Sequence, residues 1–119
     1  MENKIKILNK STNKYISVNT KVASKFMDRF IGLMFTNEMP DCDGLLIKHC
    51  NSIHTFFMKY NLDLIFIDAN NKIVKIIYDK NKWSATLFYL KANQVLEMKA
   101  GTLDRDIKVG EELDFICIN

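Results

Sequence analysis

The sequence is short of most things that announce a chemistry. It has one proline, four glycines and three cysteines in 119 residues. The cysteines are odd in number and include no Cys-x-x-Cys pair, which argues against a disulfide framework and points to a reducing cytoplasm. Arginine is rarer than the charge suggests, since Lys and Arg total 17 and only Arg29 and Arg105 are arginine. Specific nucleic-acid surfaces favour arginine, whose planar fork matches phosphates and guanine edges. The lysines are spread from Lys4 to Lys108 and the stretch Asp104 to Asp114 is acidic, so the net charge of +3 predicts no nucleic-acid partner. Long apolar runs are absent too. A membrane helix needs about 20 such residues and a secretory signal about 7–15. Neither a membrane partner nor export is expected, and a cytoplasmic location follows. A Gly-rich phosphate loop, a catalytic triad and a paired-carboxylate motif are missing as well.

What is present is core-forming residue: 48% of the chain is apolar, enough for one domain over residues 1–119 without staples. Lys4 to Leu8 and Tyr15 to Val18 read as strands around the turn cluster Asn9 to Asn13. Phe26, Met27, Phe30, Ile31 and Met34 recur at helical spacing after a candidate cap at Ser24, predicting one principal helix over 24–35. Beyond the Pro40 loop the pattern is strand again: Leu45 to Lys48, His54 to Lys59, Phe88 to Leu90, Val95 to Lys99 and Leu113 to Ile118. The plainest local signal is a hairpin, Leu64 to Asp68 and Lys72 to Tyr78 around Ala69-Asn70-Asn71, because asparagine tolerates the positive φ of tight turns. A short helical turn is expected at 101–106. The fold class is mainly β (α+β by content), a compact sandwich or flattened barrel with the helix over an open end.

Several ordered anchors are similar to one prokaryotic family, domain of unknown function 192. They are Arg29-Phe30-Ile31-Gly32-Leu33-Met34, Gly44-Leu45-Leu46-Ile47, Cys50-Asn51-Ser52-Ile53-His54-Thr55-Phe56-Phe57-Met58-Lys59, Leu62 to Asp68, and Val95-Leu96-Glu97 with Ala100-Gly101. The resemblance spans about Ala23 to Leu113. It resembles the branch carrying Cys-x-Ser-Ile-His-Thr where other members have Phe-Trp-Met-Lys-Asn-Thr. Glu111 after Gly110 and the proline-free segment Asp79 to Trp83 depart from the common pattern. The resemblance implies a jelly-roll-like β fold and no enzymatic activity.

The candidate chemistry is sparse. Arg29 and Gly32 share one side of the predicted helix, either for close packing or as an Arg-lined pocket for a carboxylate or phosphate. Asp63 points with Ile65 and Ile67, so a carboxylate enters an apolar face and needs a partner. Glu97 shares its strand face with Val95. Arg29 is the expected partner of Asp63 or Glu97. Cys50 and His54 admit a thiolate–imidazole pair, with Asp63 as a third weak catalytic candidate. They also admit a zinc site completed by His49 or Cys42, but without a second short-spaced pair no metal is predicted. Nor is any cofactor. Ordinary buried roles compete with all of these. The favoured expectation is a non-catalytic module that binds a small molecule or peptide, with Arg29, His54, Thr55, Met58, Asp63 and Glu97 around a pocket. A partner docking along an unpaired strand edge is a further possibility.

Overall fold

The structure, a computed structural model, describes residues 4–23, 42–55 and 59–118. Seven strands are present: β1 Lys4–Asn9, β2 Lys14–Ala23, β3 Gly44–Lys48, β4 Leu62–Ile67, β5 Ile73–Lys80, β6 Gln94–Lys99 and β7 Leu113–Cys117. They form one sheet in the order β5-β4-β6-β3-β2-β1-β7. All neighbours are antiparallel except β2 and β3, which run parallel from Thr20↔Gly44 to Ala23↔Ile47. The mainly-β expectation holds.

The central strands carry apolar residues on both faces because both faces are covered. In β4 every residue of Leu-Asp-Leu-Ile-Phe-Ile is buried. Leu62, Leu64 and Phe66 join Leu45, Ile47, Val95, Ile53, Tyr60 and Ala92 in one core. Ile65 and Ile67 join Ile7, Leu46, Ile73, Leu96, Met98, Leu103 and Leu113 in a second, on the opposite face. Period-two alternation makes this division. Each fully buried Leu or Ile contributes about 1.5–3 kcal/mol.

The sheet curls until its two edges touch. Ile73 N–H donates to Glu111 O at 3.0 Å, Gly110 N–H to Ile73 O at 2.8 Å, and Leu113 N–H to Asn71 O at 2.8 Å. These bonds join the start of β5 to the approach of β7, giving a half-barrel wrapped around the second core. The β4–β5 hairpin forms as read. Asp68 Oδ1 accepts from Asn70 N–H at 2.8 Å and Lys72 N–H at 2.9 Å, and Asn71 takes φ 64°.

Three local expectations need correction or fall elsewhere. The helix predicted over 24–35 lies outside the described residues, and every regular element among those described is a strand. Phe88 to Leu90 is not a strand: Tyr89 turns in onto Phe66, with ring centroids 4.6 Å apart, and leaves Phe88 and Leu90 outside. Residues 101–106 form turns rather than helix, because Thr102 N–H bonds back to Lys99 O at 3.1 Å and Asp104 Oδ1 captures Asp106 N–H at 3.0 Å.

Candidate functional site

Asp63 points to the face of Ile65 and Ile67 and is 1% exposed. Its oxygens are taken up by backbone donors. Oδ1 accepts from Asp79 N–H at 2.8 Å, and Oδ2 from Gly101 N–H at 3.1 Å and Leu103 N–H at 3.2 Å. Gly101 sits at φ 92°, where a side chain would be strained. The carboxylate therefore ties the end of β5 and the turn after β6 to the middle of the sheet. Three amide donors provide the partnership that a buried carboxylate needs.

Glu97 is fully buried, in register between Leu45 of β3 and Leu64 of β4. That is the other face of the sheet, so Asp63 and Glu97 do not share a site. Arg29 and Met58 lie outside the described residues, as do Gly32, Phe56 and Phe57.

Residues 51–55 form an irregular ribbon with 84–89. Thr55 N–H donates to Ser84 O at 2.7 Å, Thr86 N–H to Ile53 O at 2.8 Å and Tyr89 N–H to Asn51 O at 3.0 Å, centred on a bridge between His54 and Ala85. Of the strand read over His54 to Lys59, residues 56–58 lie outside the described residues, His54 forms this bridge and Lys59 sits in a bend. Thr55 is buried and acts as its rivet: Oγ1 donates to Asn81 O at 2.6 Å and accepts from Ser84 N–H at 2.9 Å.

Between this ribbon and the end of β3 opens a cleft of about 510 Å³ lined by Ile47, His49, Cys50, His54, Thr86 and Phe88 among others. Cys50 and His54 thus meet one opening, and His49 joins them. Among the described residues no carboxylate lines it. The Cys50 thiol donates to Ser52 O at 3.0 Å, a bond only the protonated sulfur makes. Among the described residues no three His, Cys, Asp or Glu side chains gather as a metal-holding group. Cys42 lies away from the cleft, beside β3, where burial pushes its thiol up despite a hydrogen bond from Gly44 and the charge of Lys21.

The sequence reading passed over the second wall of the cleft. Around it Trp83 is 57% exposed, Leu87 74%, Phe88 72% and Leu90 86%. A signal was available: residues 80–96 contain Lys80, Lys82 and Lys91 but no acid, and residues 44–62 contain Lys48 and Lys59 and again no acid. The two segments beside the cleft are therefore basic, as is the N-terminal stretch 3–27, which holds six lysines and no acid. The acidic residues Asp104, Asp106, Glu111, Glu112 and Asp114 lie in the turns and strand at the other end of the chain.

A curled β sheet with a ribbon laid over one face defines a small β domain, and its sequence pattern has a known home. The pattern of the family described as Uncharacterized ACR, domain of unknown function 192, matches residues 7–115, and the chain belongs to that family. A UPF0127 protein of Thermococcus sibiricus is 29% identical over 120 residues, covering 92% of this chain and 73% of its own. The UPF0127 protein PH1112 of Pyrococcus horikoshii is 30% identical over 98 residues, covering 80% and 84%. Among solved structures, a protein of unknown function from Novosphingobium aromaticivorans has a TM-score of 0.73 at 20% identity, covering 93% of this chain and 83% of its own. A Sinorhizobium meliloti protein provisionally named a transcription regulator has a TM-score of 0.76 at 20% identity, covering 97% and 94%. These structural likenesses establish the shared fold. Among the described residues no helix is long and apolar enough to cross a membrane.

Proposed function

We propose that the chain is a non-catalytic binding module whose ligand site is the cleft between residues 47–54 and 85–88. The observation that carries this reading is the cleft itself: about 510 Å³, walled by Ile47, Ile53 and Phe88, with Lys48, His49, Cys50, His54 and Thr86 among its polar groups. Largely apolar walls with a few placed polar groups are the usual make-up of a ligand site. Two features favour binding over catalysis. Among the described residues no carboxylate lines the cleft, and the Cys50 thiol donates to Ser52 O. A thiolate–imidazole nucleophile needs the opposite arrangement.

The lysines around the cleft favour a ligand that is apolar and negatively charged. The probe that tests this is the dye 1-anilinonaphthalene-8-sulfonate, which has both properties. It is expected to bind the native chain with a fluorescence rise that Phe88→Ser and His54→Ala each diminish, at an unchanged urea midpoint. Binding that survives both variants, or appears only in urea, contradicts the cleft as the site. Dye that reports partly unfolded protein is recognised by its coincidence with lost near-ultraviolet dichroism.

A further inference from the structure

The ribbon wall of the cleft has a free edge. In an antiparallel pair, backbone groups point alternately toward and away from the partner. Ser84 O and Thr86 N–H point toward 51–55, where they bond Thr55 and Ile53. The groups of Ala85 and Leu87 therefore point the other way. Among the described residues nothing bonds the N–H or C=O of Ala85 or the N–H of Leu87, while Leu87 O accepts only the Thr86 hydroxyl at 3.0 Å. This edge is flanked by Leu87 and Phe88 at 74% and 72% exposure, and bracketed by the exposed Lys82 and Lys91.

We propose that an extended, acidic peptide segment adds as a strand along residues 84–88, its apolar side chains meeting Leu87 and Phe88 and its carboxylates meeting Lys82 and Lys91. This deepens the binding reading above by naming the partner class and its mode of docking, and it rests on that reading for the cleft alongside. Strand addition draws affinity from main-chain hydrogen bonds and specificity from alternate side chains. The partner's sign follows from charge: the segments 44–62 and 80–96 hold five lysines, Lys48, Lys59, Lys80, Lys82 and Lys91, against the Asp79 carboxylate that Asn61 Nδ2 holds at 3.0 Å near Lys82.

Two other occupants fit less well. A second copy pairing edge to edge about Thr86 brings the Lys82 end of one chain against the Lys91 end of the other, setting like charges together. Lysines at an edge are a common guard against that pairing. A bilayer accommodates Trp83, Leu87, Phe88 and Leu90, but it leaves the outward backbone groups of Ala85 and Leu87 without partners, which hydrocarbon penalises heavily.

The experiment is amide exchange and chemical-shift mapping on the 15N-labelled chain with two probe peptides. These are acetyl-Asp-Val-Thr-Val-Thr-Val-Asp-amide and its counterpart with lysine at both ends. The acidic peptide is expected to slow exchange at Ala85 and Leu87 and to bind about tenfold or more tightly than the lysine peptide, a difference that salt reduces. Lys82→Glu combined with Lys91→Glu should reverse the preference. Leu87→Pro, which removes an outward N–H and no internal bond, should abolish protection at Ala85 while leaving the fold intact. The proposal is overturned by equal binding of the two peptides or by no protection at Ala85 and Leu87. It is equally overturned if the edge is occupied by a second copy in sedimentation, or if the chain binds phosphatidylglycerol vesicles through this tip and ignores the peptide. Dye binding without edge protection refutes strand addition alone; loss of both refutes the cleft as well.

Discussion

Replacing Asp63 with alanine strands three backbone donors at once. In the native chain its carboxylate holds Asp79 N–H at 2.8 Å, Gly101 N–H at 3.1 Å and Leu103 N–H at 3.2 Å. Hydrogen bonds to a charged group contribute about 1.5–3 kcal/mol each, but they are not additive when water can take over. Asp79 and Gly101 are exposed residues whose amides regain water readily, whereas Leu103 is only 5% exposed and belongs to the second core. The net loss is therefore expected at about 3–5 kcal/mol, near the range for removing one partner of a buried polar network. Urea unfolding followed by near-ultraviolet dichroism reads this as a midpoint lowered by about 1–5 M, given a slope of about 1–3 kcal/mol per molar urea. Asp63→Asn should fall between, since one carbonyl oxygen survives while an amide group confronts the remaining N–H donors. Amide exchange should quicken first at Gly101 and Leu103. A variant within about 1 kcal/mol of the native chain, with Leu103 still protected, refutes the tie.

Other perturbations follow from the same geometry. Gly44→Ala puts a methyl 3.1 Å from Ser17 Oγ and 3.2 Å from Leu96 Cδ1. Ser17 is held by Asp43 and Thr20 and Leu96 is fully buried, so neither yields easily, and a thermal scan should show a loss of about 1–3 kcal/mol. Thr55→Val removes the hydroxyl that bonds Asn81 O and Ser84 N–H; it should cost about 1–3 kcal/mol by urea unfolding and weaken dye binding by loosening the ribbon. Burial pushes the Cys42 thiol and the Tyr78 hydroxyl up, Tyr78 against the opposing pull of Arg105. Folded groups with raised values hold protons that the unfolded chain releases first, so stability should fall as pH rises above about 8.5, where ordinary thiols begin to titrate. Stability that is level or rising from there to higher pH contradicts that sign. Iodoacetamide at moderately alkaline pH should modify the exposed Cys117 well before Cys42, as peptide mapping can tell.

The parts of the fold that were legible in the sequence are those fixed by local chemistry. The β4–β5 hairpin was readable because Asp68, Asn70 and Asn71 supply the turn's own hydrogen bonds and positive φ. Alternation in β4 set the direction of Asp63 correctly. Its partners were not readable, since backbone N–H groups carry no residue identity; Arg29, expected beside Asp63 or Glu97, lies outside the described residues. Nor could alternation tell that Asp63 and Glu97 face opposite sides, because that depends on the register of β4 against β6, where Asp63 meets Met98 and Leu64 meets Glu97. The run Leu87-Phe88-Tyr89-Leu90 misled for a related reason. Apolar, β-prone residues read as a strand, yet only Tyr89 finds a seat in the core. That Lys48 and Lys59 share a region with Lys80, Lys82 and Lys91 was not readable, because segments 44–62 and 80–96 are apart in the chain and meet through the ribbon bonds.

The central claim is that ligand occupies the cleft beside this ribbon, and a chemical-shift map of the labelled chain titrated with 1-anilinonaphthalene-8-sulfonate tests it most directly. The account predicts saturable shifts concentrated at Ile47 to His54 and Ala85 to Phe88. Shifts centred instead on the small opposite cleft of Asn9, Tyr15 and Asp104, or none at saturating dye, contradict it.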